Sequence, residues 1–364
     1  MKGMGVSRGS TALLHFVNVA VPPEIIFDRY IRNKRIPRYQ GKANLLLIED
    51  RATRDLLEET QRTINDVYAA QRGSILAAGT LPTLHFDYPD SGVVNAIAFQ
   101  DEGCAFVGLT LPLFDEVGQT CQLLVTCDLV SDIFRQEIPT DHQRHQLFTA
   151  FFAAQLQFIA CHELGHHVHG HCSDCEGSLL IWEEFAEGGS ARGGLTDQAG
   201  ELDADGYAVH MMLHNFVAGS PRPKLLELLG RRMDDTEDVA VLELLILAAG
   251  SFFFRRQQEF EEDKVAALTH PPVAARMHFV MEEFASWLDT HRPSIAHLIN
   301  GARFAVLMGA AASALSTNTS GAPWQKQTEF LLSQPGQNYL AHLAEARSKL
   351  RDVMSNRRWK TNLR

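Results

Sequence analysis

The amino-acid sequence predicts an α+β fold that is mostly helical and contains a small β-sheet, and three observations support this prediction. Hydrophobic residues make up 45% of the 364 residues, which is enough for a substantial buried core. The β-prone runs are confined to residues 82–109. Most of the rest of the chain shows the three-to-four-residue hydrophobic spacing that is typical of helices.

The first predicted elements are a helix followed by short strands. Residues 50–71 have apolar side chains near helical spacing and predict an amphipathic helix. Apolar and polar residues alternate over Pro82–Tyr88, which predicts a strand. Two more β-prone runs, Val93–Phe99 and Cys104–Leu109, are separated by Asp101-Glu102-Gly103, so we expect them to form a hairpin.

A long helix is predicted to begin near Thr140-Asp141, whose side chains can cap its first turn, and to run to about His169. Its residues are apolar almost all round, which is typical of a helix buried at the centre of a fold. Residues 170–196 are rich in glycine and predict a loop. Further helices are predicted over Asp197–Val217, Pro223–Gly230, Thr236–Phe254 and much of residues 286–364.

Composition excludes several classes of function. The formal net charge is −11, from 33 basic and 44 acidic residues, which argues against a nucleic-acid-binding protein. Six cysteines are too few for a disulfide scaffold, so we expect free thiols and a cytoplasmic location. No apolar run reaches the eighteen or so residues of a membrane-spanning helix, and His15 and Asn18 interrupt the weak signal-peptide pattern at Thr11–Val21. The sequence therefore predicts a soluble protein with no integral membrane segment.

The strongest chemical signal is His162-Glu163-Leu164-Gly165-His166 on the predicted buried helix. Residues four apart lie on one face of a helix, so His162 and His166 can offer two imidazole nitrogens to one Zn²⁺. Glu163 lies at the rim of that face, where it can reach a metal-bound water. Chance occurrence of the pattern with ordinary buried histidines is the alternative.

A hydrolytic zinc site needs a third protein ligand and one open position. Glu201 and Asp205 are again four apart on a predicted helix, so one carboxylate can bind the metal while the other orients a ligand histidine. The alternative is the acidic, solvated start of a helix, where the helix dipole favours carboxylates.

Together these motifs resemble the gluzincin metallopeptidases, in which H-E-L-G-H is followed by E-x-x-A-D-x-x-A, here Glu201 to Ala208. The segment Val94–Ala98 is similar to the NAFA strand of the HtpX-like and CAAX-prenyl-protease-like peptidases. Thr269-His270-Pro271-Pro272, with Arg276 after it, resembles the THPP…R segment of that family. The resemblance covers about residues 50–285, and the chain lacks the transmembrane helices of that family, so it looks more like the soluble, minimal gluzincins.

The resemblance implies a zinc endopeptidase with one zinc ion per chain, acting on protein or peptide substrates. It implies a zincin-like core over residues 41–285, between an N-terminal extension (1–40) and a C-terminal helical extension (286–364). The implied roles are zinc ligands for His162, His166 and Glu201, general base for Glu163, and partner of a ligand histidine for Asp205. His270 would stabilise the oxyanion, Arg276 would complete the site, and an extended substrate would add to the hairpin at Asn95, Ala96, Ile97 and Ala98.

Other readings stay open. A repressor-cleaving type of metallopeptidase shares H-E-L-G-H and a similar carboxylate motif, and a catalytically silent or autoinhibited gluzincin could act as a regulatory or binding module. The insertion over residues 167–200 could form a second metal site or a polar loop with free thiols, through His167, His169, His171, Cys172 and Cys175. Trp182–Phe185 could form a mobile flap over the site or a fixed surface excursion. His210 and His214 could form a metal pair, but no acidic ligand is near them in sequence, so we interpret them as a surface or hydrogen-bonded histidine pair. The basic tail Arg347–Arg364 could bind an anionic partner, but we interpret it as a solvated helix end.

Overall fold

The computed structural model describes residues 21–33, 39–74, 82–134, 140–172, 182–183, 194–220, 222–229, 237–255, 261–315 and 322–354. Within them the fold is α+β and mostly helical, as predicted. The helices are α1 Pro23–Asn33, α2 Arg51–Ser74, α3 Leu111–Thr126, α4 Asp128–Ile133, α5 Asp141–Val168, α6 Leu195–Leu213, α7 Arg222–Leu228, α8 Glu237–Phe254, α9 Val273–His291, α10 Pro293–Ala296, α11 Gly301–Leu315, α12 Ala322–Leu332 and α13 Gln334–Val353. The strands are β1 Thr83–Asp87, β2 Ala96–Asp101, β3 Cys104–Leu109 and β4 Trp182–Glu183.

The sheet has the order β1-β3-β2-β4. Strands β2 and β3 form the predicted antiparallel hairpin, and its turn has positive φ at both Glu102 (45°) and Gly103 (75°), as tight hairpins favour. Strand β1 pairs with β3 in parallel. The first strand of the hairpin, predicted over Val93–Phe99, begins at Ala96 in the structure. Ala96 pairs with Leu109, which is the last residue of β3, so no residue of β3 remains to pair with the residues before Ala96.

Helix α5 is the central helix of the fold. Thr140 caps it as predicted: its hydroxyl accepts from the Gln143 backbone, and the Gln143 side chain accepts from the Thr140 backbone in return. Near its other end, His167 binds the Phe106 carbonyl of β3 at 2.9 Å, which fixes the helix under the sheet. In the described part of the chain, α5 is also the one helix that is long and apolar enough to cross a membrane, but 72% of its apolar window is buried inside the protein.

Helix α6 packs directly on α5, and the two backbones are very close. A Cβ atom on Gly165 would lie 2.9 Å from the Cα of Ala204, which is closer than two carbon atoms can pack. Glycine at this position therefore lets the two helices meet at the level of the predicted metal site.

The C-terminal helices complete the core around this pair. Helix α8 is buried along most of its length, including Phe252, Phe253 and Phe254. Helix α9 runs across position 285, and α12 and α13 share a second hydrophobic cluster with α6 and α9. The predicted division at residues 285 and 286 stays a prediction.

Three helices were missed by the sequence analysis. Helix α1 lies in the region predicted only as an N-terminal extension, yet it buries Ile26, Phe27, Tyr30 and Ile31 on one face. Tyr30 stacks on Phe99 of β2, with ring centroids 4.3 Å apart. Helices α3 and α4, which follow β3, were not predicted at all.

Candidate active site

Three side chains from two helices converge in the interior. His162 and His166 come from α5 and Glu201 from α6, and all three are almost fully buried. The Nε2 atoms of the two histidines are 3.2 Å apart. Glu201 places Oε2 3.4 Å from His162 Nε2 and Oε1 3.7 Å from His166 Nε2. Within the described residues this trio is the one group of three or more His, Cys, Asp or Glu side chains that could hold a metal ion.

These separations fit a tetrahedral metal ion. Ligands about 2.0–2.1 Å from a zinc ion at tetrahedral angles lie about 3.3 Å from one another. The two Nε2 atoms are 3.2 Å apart, and each lies 3.4 or 3.7 Å from a different oxygen of the Glu201 carboxylate, so the group is close to the spacing of three ligands around one ion. Two imidazoles and one carboxylate are also a donor set found in catalytic zinc sites. The residues present therefore fit the predicted ion.

Asp205 lies one helical turn after Glu201 and contacts the first histidine. His162 Nδ1 is 2.9 Å from Asp205 Oδ1, so the ring donates to the carboxylate and directs the lone pair of Nε2 toward the other two donors. Arg276 of α9 holds the same carboxylate with two hydrogen bonds, of 2.8 and 2.7 Å. Burial favours a higher pKa for Asp205, but Arg276 and His162 outweigh it and hold the pKa below its ordinary value. The carboxylate is therefore ionised, as the contact with His162 requires.

The second histidine has a partner that the sequence analysis did not assign. His166 Nδ1 is 3.1 Å from His171 Nδ1. The chain reverses at Gly170, whose φ is 81°, and the amides of Gly170 and His171 donate to the carbonyls of His167 and His166. This is the Schellman ending of a helix, which folds the residue after the glycine back over the last turn. The sequence of residues 166–171, H-H-V-H-G-H, could have predicted this reversal, because a glycine two positions after the last residue of a helix favours it.

Glu163 and His270 belong to segments that carry or adjoin the trio. Glu163 follows His162 on α5 and is buried, 1% exposed. His270, in the segment before α9, is one-fifth exposed and places Nε2 3.7 Å from Glu201 Oε2. Thr269 Oγ1 lies 3.0 Å from the other ring nitrogen of His270. Both residues predicted to act on the substrate are therefore in the same part of the fold as the ligands.

The predicted substrate-binding strand is partly covered. Asn95 is buried and donates a hydrogen bond to the Tyr39 hydroxyl at 2.6 Å, so it fixes the residue that precedes β2 and is not available to a substrate. Ile97 pairs with Glu183 and Ala98 with Trp182, so β4 occupies the edge of β2 to which a substrate was expected to add. The flap prediction over Trp182–Phe185 thus falls partly on a strand, and Glu184 and Phe185 lie outside the described residues.

The remaining sequence-predicted polar clusters have other surroundings. His167 binds the sheet, as described above. Burial, and then the nearby Glu163 carboxylate, raise the pKa of the Cys172 thiol well above its ordinary value, so this thiol is not a reactive thiolate. Cys175 lies outside the described residues. His210 Nε2 is 3.0 Å from Glu283 Oε2 of α9, so the predicted His210/His214 pair includes one histidine with a carboxylate partner distant in sequence.

Asp203 lies between Glu201 and Asp205 in sequence but faces another helix. Its Oδ1 accepts from Arg347 Nε at 2.9 Å and from Arg351 Nε at 2.6 Å, and both arginines are on α13. Burial favours a higher pKa for Asp203, but His169 and the two arginines hold it below its ordinary value. Arg347 was predicted to be part of a solvated helix end; instead it is 9% exposed, because Asp203 and Glu283 both bind it. The prediction was wrong at this residue because nothing local distinguishes it from the exposed arginines of the tail.

A comparison with protein families agrees with the chemistry of this site. A family model described as Peptidase U49 matches residues 130–296, somewhat less than half of the chain. The match supports a peptidase. The matched region contains the three converging side chains together with Glu163, Asp205, His270 and Arg276. No curated protein and no solved structure matches the chain.

A peptidase implies a protein or peptide substrate. The family match supports a peptidase but does not confirm the HtpX-like, gluzincin type that the motifs resemble. That finer assignment stays a prediction, as do the ion and the roles of the individual residues.

Proposed function

We propose that this chain is a zinc-dependent endopeptidase that hydrolyses peptide bonds, with Glu163 as general base. The observation that carries the proposal is the convergence of His162, His166 and Glu201 at separations close to the edges of a zinc tetrahedron. Glu163 lies directly beside the first ligand on the same helix, and the family match supports a peptidase independently of this geometry.

His162, His166 and Glu201 would hold the ion. A zinc ion held there would supply Lewis-acid chemistry, lowering the pKa of a water toward about 7 and polarising a substrate carbonyl. Glu163 takes the proton of the attacking water and passes it to the leaving amine. Glu163 is suited to this role because it is adjacent to the ligands without being one of the three.

Two sets of neighbours would support this chemistry. Asp205, fixed by Arg276, holds the ring of His162 in one orientation, and His171 does the same for His166. His270 is the most exposed of these groups and lies beside Glu201, so it can donate a hydrogen bond to the oxyanion of a substrate that enters from that side. Ile97 and Ala98 would guide an extended substrate once β4 leaves their edge of β2.

The deciding experiment compares Glu163→Gln with the wild-type protein. The variant should retain one zinc ion per chain, measured by elemental analysis, and should lose cleavage of an unfolded protein substrate. Glu282→Gln is the matched control, because Glu282 is an exposed carboxylate on α9 and its loss should change neither quantity. Retained turnover by Glu163→Gln, or a wild-type protein that cleaves equally well after chelation, would refute the proposal.

A closed, autoinhibited form is the second candidate, and two observations favour it. Glu163 is almost completely buried, and β4 of the same chain pairs with the substrate edge of β2. In that form the site would bind zinc but cleave slowly until β4 is displaced. Zinc content separates this candidate from a metal-free scaffold, and activation by weakening β4 separates it from an enzyme that is always open.

A further inference from the structure

The carboxylate helix α6 is held from two sides. Successive residues of a helix are about 100° apart, so Asp203 points away from the face that carries Glu201 and Asp205. That face meets α5 and α9, through His162 and Arg276. Asp203 meets α13, through Arg347 and Arg351. The position of Glu201 therefore depends on contacts to helices on both sides of α6.

Arg347 is the more deeply placed of the two arginines. Its Nε donates to Asp203 and its Nη2 donates to Glu283 Oε1 of α9 at 2.6 Å, so one guanidinium joins three helices. Its side chain is 10% exposed, against 41% for Arg351. A buried, hydrogen-bonded guanidinium fixes its carboxylate partners in direction as well as in distance.

Two further contacts from the same C-terminal helices reach the site. The Tyr339 hydroxyl donates to Gln198 Oε1 of α6, and the Gln198 amide donates to the Leu268 carbonyl at 2.9 Å, two residues before His270. Gln327 of α12 accepts from the Ala274 amide in the first turn of α9, the helix that carries Arg276. All of these C-terminal residues lie after the region matched by the peptidase family model, which ends at residue 296.

We propose that Arg347 is a positioning residue for the metal site: by holding Asp203 against α13, it fixes α6 so that Glu201 reaches the two ligand histidines. The C-terminal helices are then a working part of the peptidase and not an appended segment. This inference rests on the proposed function, because it concerns the zinc affinity of the proposed ligand set.

The test measures zinc affinity by chelator competition in full-length protein. Arg347→Met keeps the length and apolar stem of the side chain but removes the charge and the donors. Removal of a group that contacts a metal ligand directly typically weakens affinity about 10–100-fold. Arg347 acts one contact further out, through Asp203, so we expect a loss that does not exceed the lower figure, of severalfold to about tenfold. Arg347→Lys, which retains the charge and can reach one carboxylate, should recover part of the loss.

The matched control is Arg303→Met. Arg303 makes an equally short contact, 2.6 Å, to the buried Glu243, but this pair joins α11 to α8. Both methionine variants should lower the unfolding temperature in the presence of a chelator, whereas only Arg347→Met should weaken zinc binding. The visible absorption of the Co²⁺-substituted protein should change for Arg347→Met alone, because it reports the arrangement of the ligands.

The outcomes separate the two proposals. Zinc affinity within twofold of the wild type in folded Arg347→Met, or an equal loss in Arg303→Met, would overturn the positioning role while the zinc peptidase stands. If Arg347→Met does not fold, Arg351→Met decides: it removes the other donor to Asp203 from a more exposed position, so it should fold and bind zinc severalfold more weakly, and unchanged affinity would overturn the role. A wild-type chain that binds no zinc would overturn both proposals.

Discussion

Gly165 offers the sharpest test of how the two helices bring the ligands together. In Gly165→Ala the new methyl group would lie 2.9 Å from Ala204 Cα and 3.3 Å from its Cβ. Carbon atoms pack at about 3.5–4.0 Å, so α5 and α6 would have to separate by roughly 0.6–1 Å at this level. Since His166 follows Gly165 and Glu201 lies one turn before Ala204, the separation acts directly on the distance between ligands.

The expected cost follows from two opposing effects. Overpacking of a tight contact typically costs about 1–3 kcal/mol, whereas replacing glycine by alanine within a helix favours folding by up to about 1 kcal/mol. Subtracting about 1 kcal/mol of helix propensity from the overpacking cost leaves an expected net loss of about 0–2 kcal/mol in the free energy of unfolding, measured by urea denaturation with a chelator present. Zinc affinity, measured separately, should fall at least about tenfold, as for other disturbances of ligand geometry.

Gly309→Ala provides the control for helix propensity. Gly309 is an exposed residue within α11, and a Cβ atom there would meet nothing within 4 Å. This variant should be slightly more stable than the wild type and should bind zinc equally well. If Gly165→Ala behaved like Gly309→Ala in both assays, the close approach of α5 and α6 would not be what sets the ligand distances.

Three further predictions follow from the same contacts. His171→Leu replaces the imidazole with an apolar side chain of similar volume and removes the nitrogen that faces His166, so zinc affinity should fall about tenfold; equal affinity would remove His171 from the site. Burial lowers the pKa of His167 to about 4. Between about pH 6.5 and pH 4 the unfolded chain therefore binds a proton that the folded chain does not, and the free energy of unfolding falls with falling pH, by at most about 3 kcal/mol. His167→Gln should flatten this part of the pH profile, and an unchanged profile would contradict the role of His167. Glu183→Pro should disrupt the pairing of β4 with β2 and raise the rate of peptide cleavage at constant zinc affinity, whereas an unchanged rate would argue against the closed form.

Much of the site could be predicted because its determinants are local. The spacing of His162 and His166 follows from the helix repeat alone, and so does that of Glu201 and Asp205. The cap at Thr140 needs only Gln143 three residues later. Even the contact of His171 with His166 was available in principle, since one glycine sets the reversal. These patterns specify which side chains can act together before any tertiary contact is known.

The pairing of β4 with β2 and the contacts of the C-terminal helices could not be predicted from local sequence patterns, because both depend on the tertiary path of the chain. A two-residue strand has no periodicity to detect, and its partner is decided by the path of the chain around it. Helix α1 was missed for a related reason, because its apolar stripe is short and becomes meaningful only against the aromatic face of β2 and β3.

Asp203 shows why such contacts escape sequence reasoning. In the sequence, Asp203 is the middle one of three acidic residues at alternating positions. Only the outer two, Glu201 and Asp205, had a predicted role. Its partner Arg347 is 144 residues away, within a tail whose charges look alike. A buried carboxylate is costly without a partner, so the fold that brings Glu201 to the histidines must also bring a cation to the opposite side of the same helix. Assembly of the site and docking of α13 are therefore coupled, and a variant that weakens one should be detected in the other.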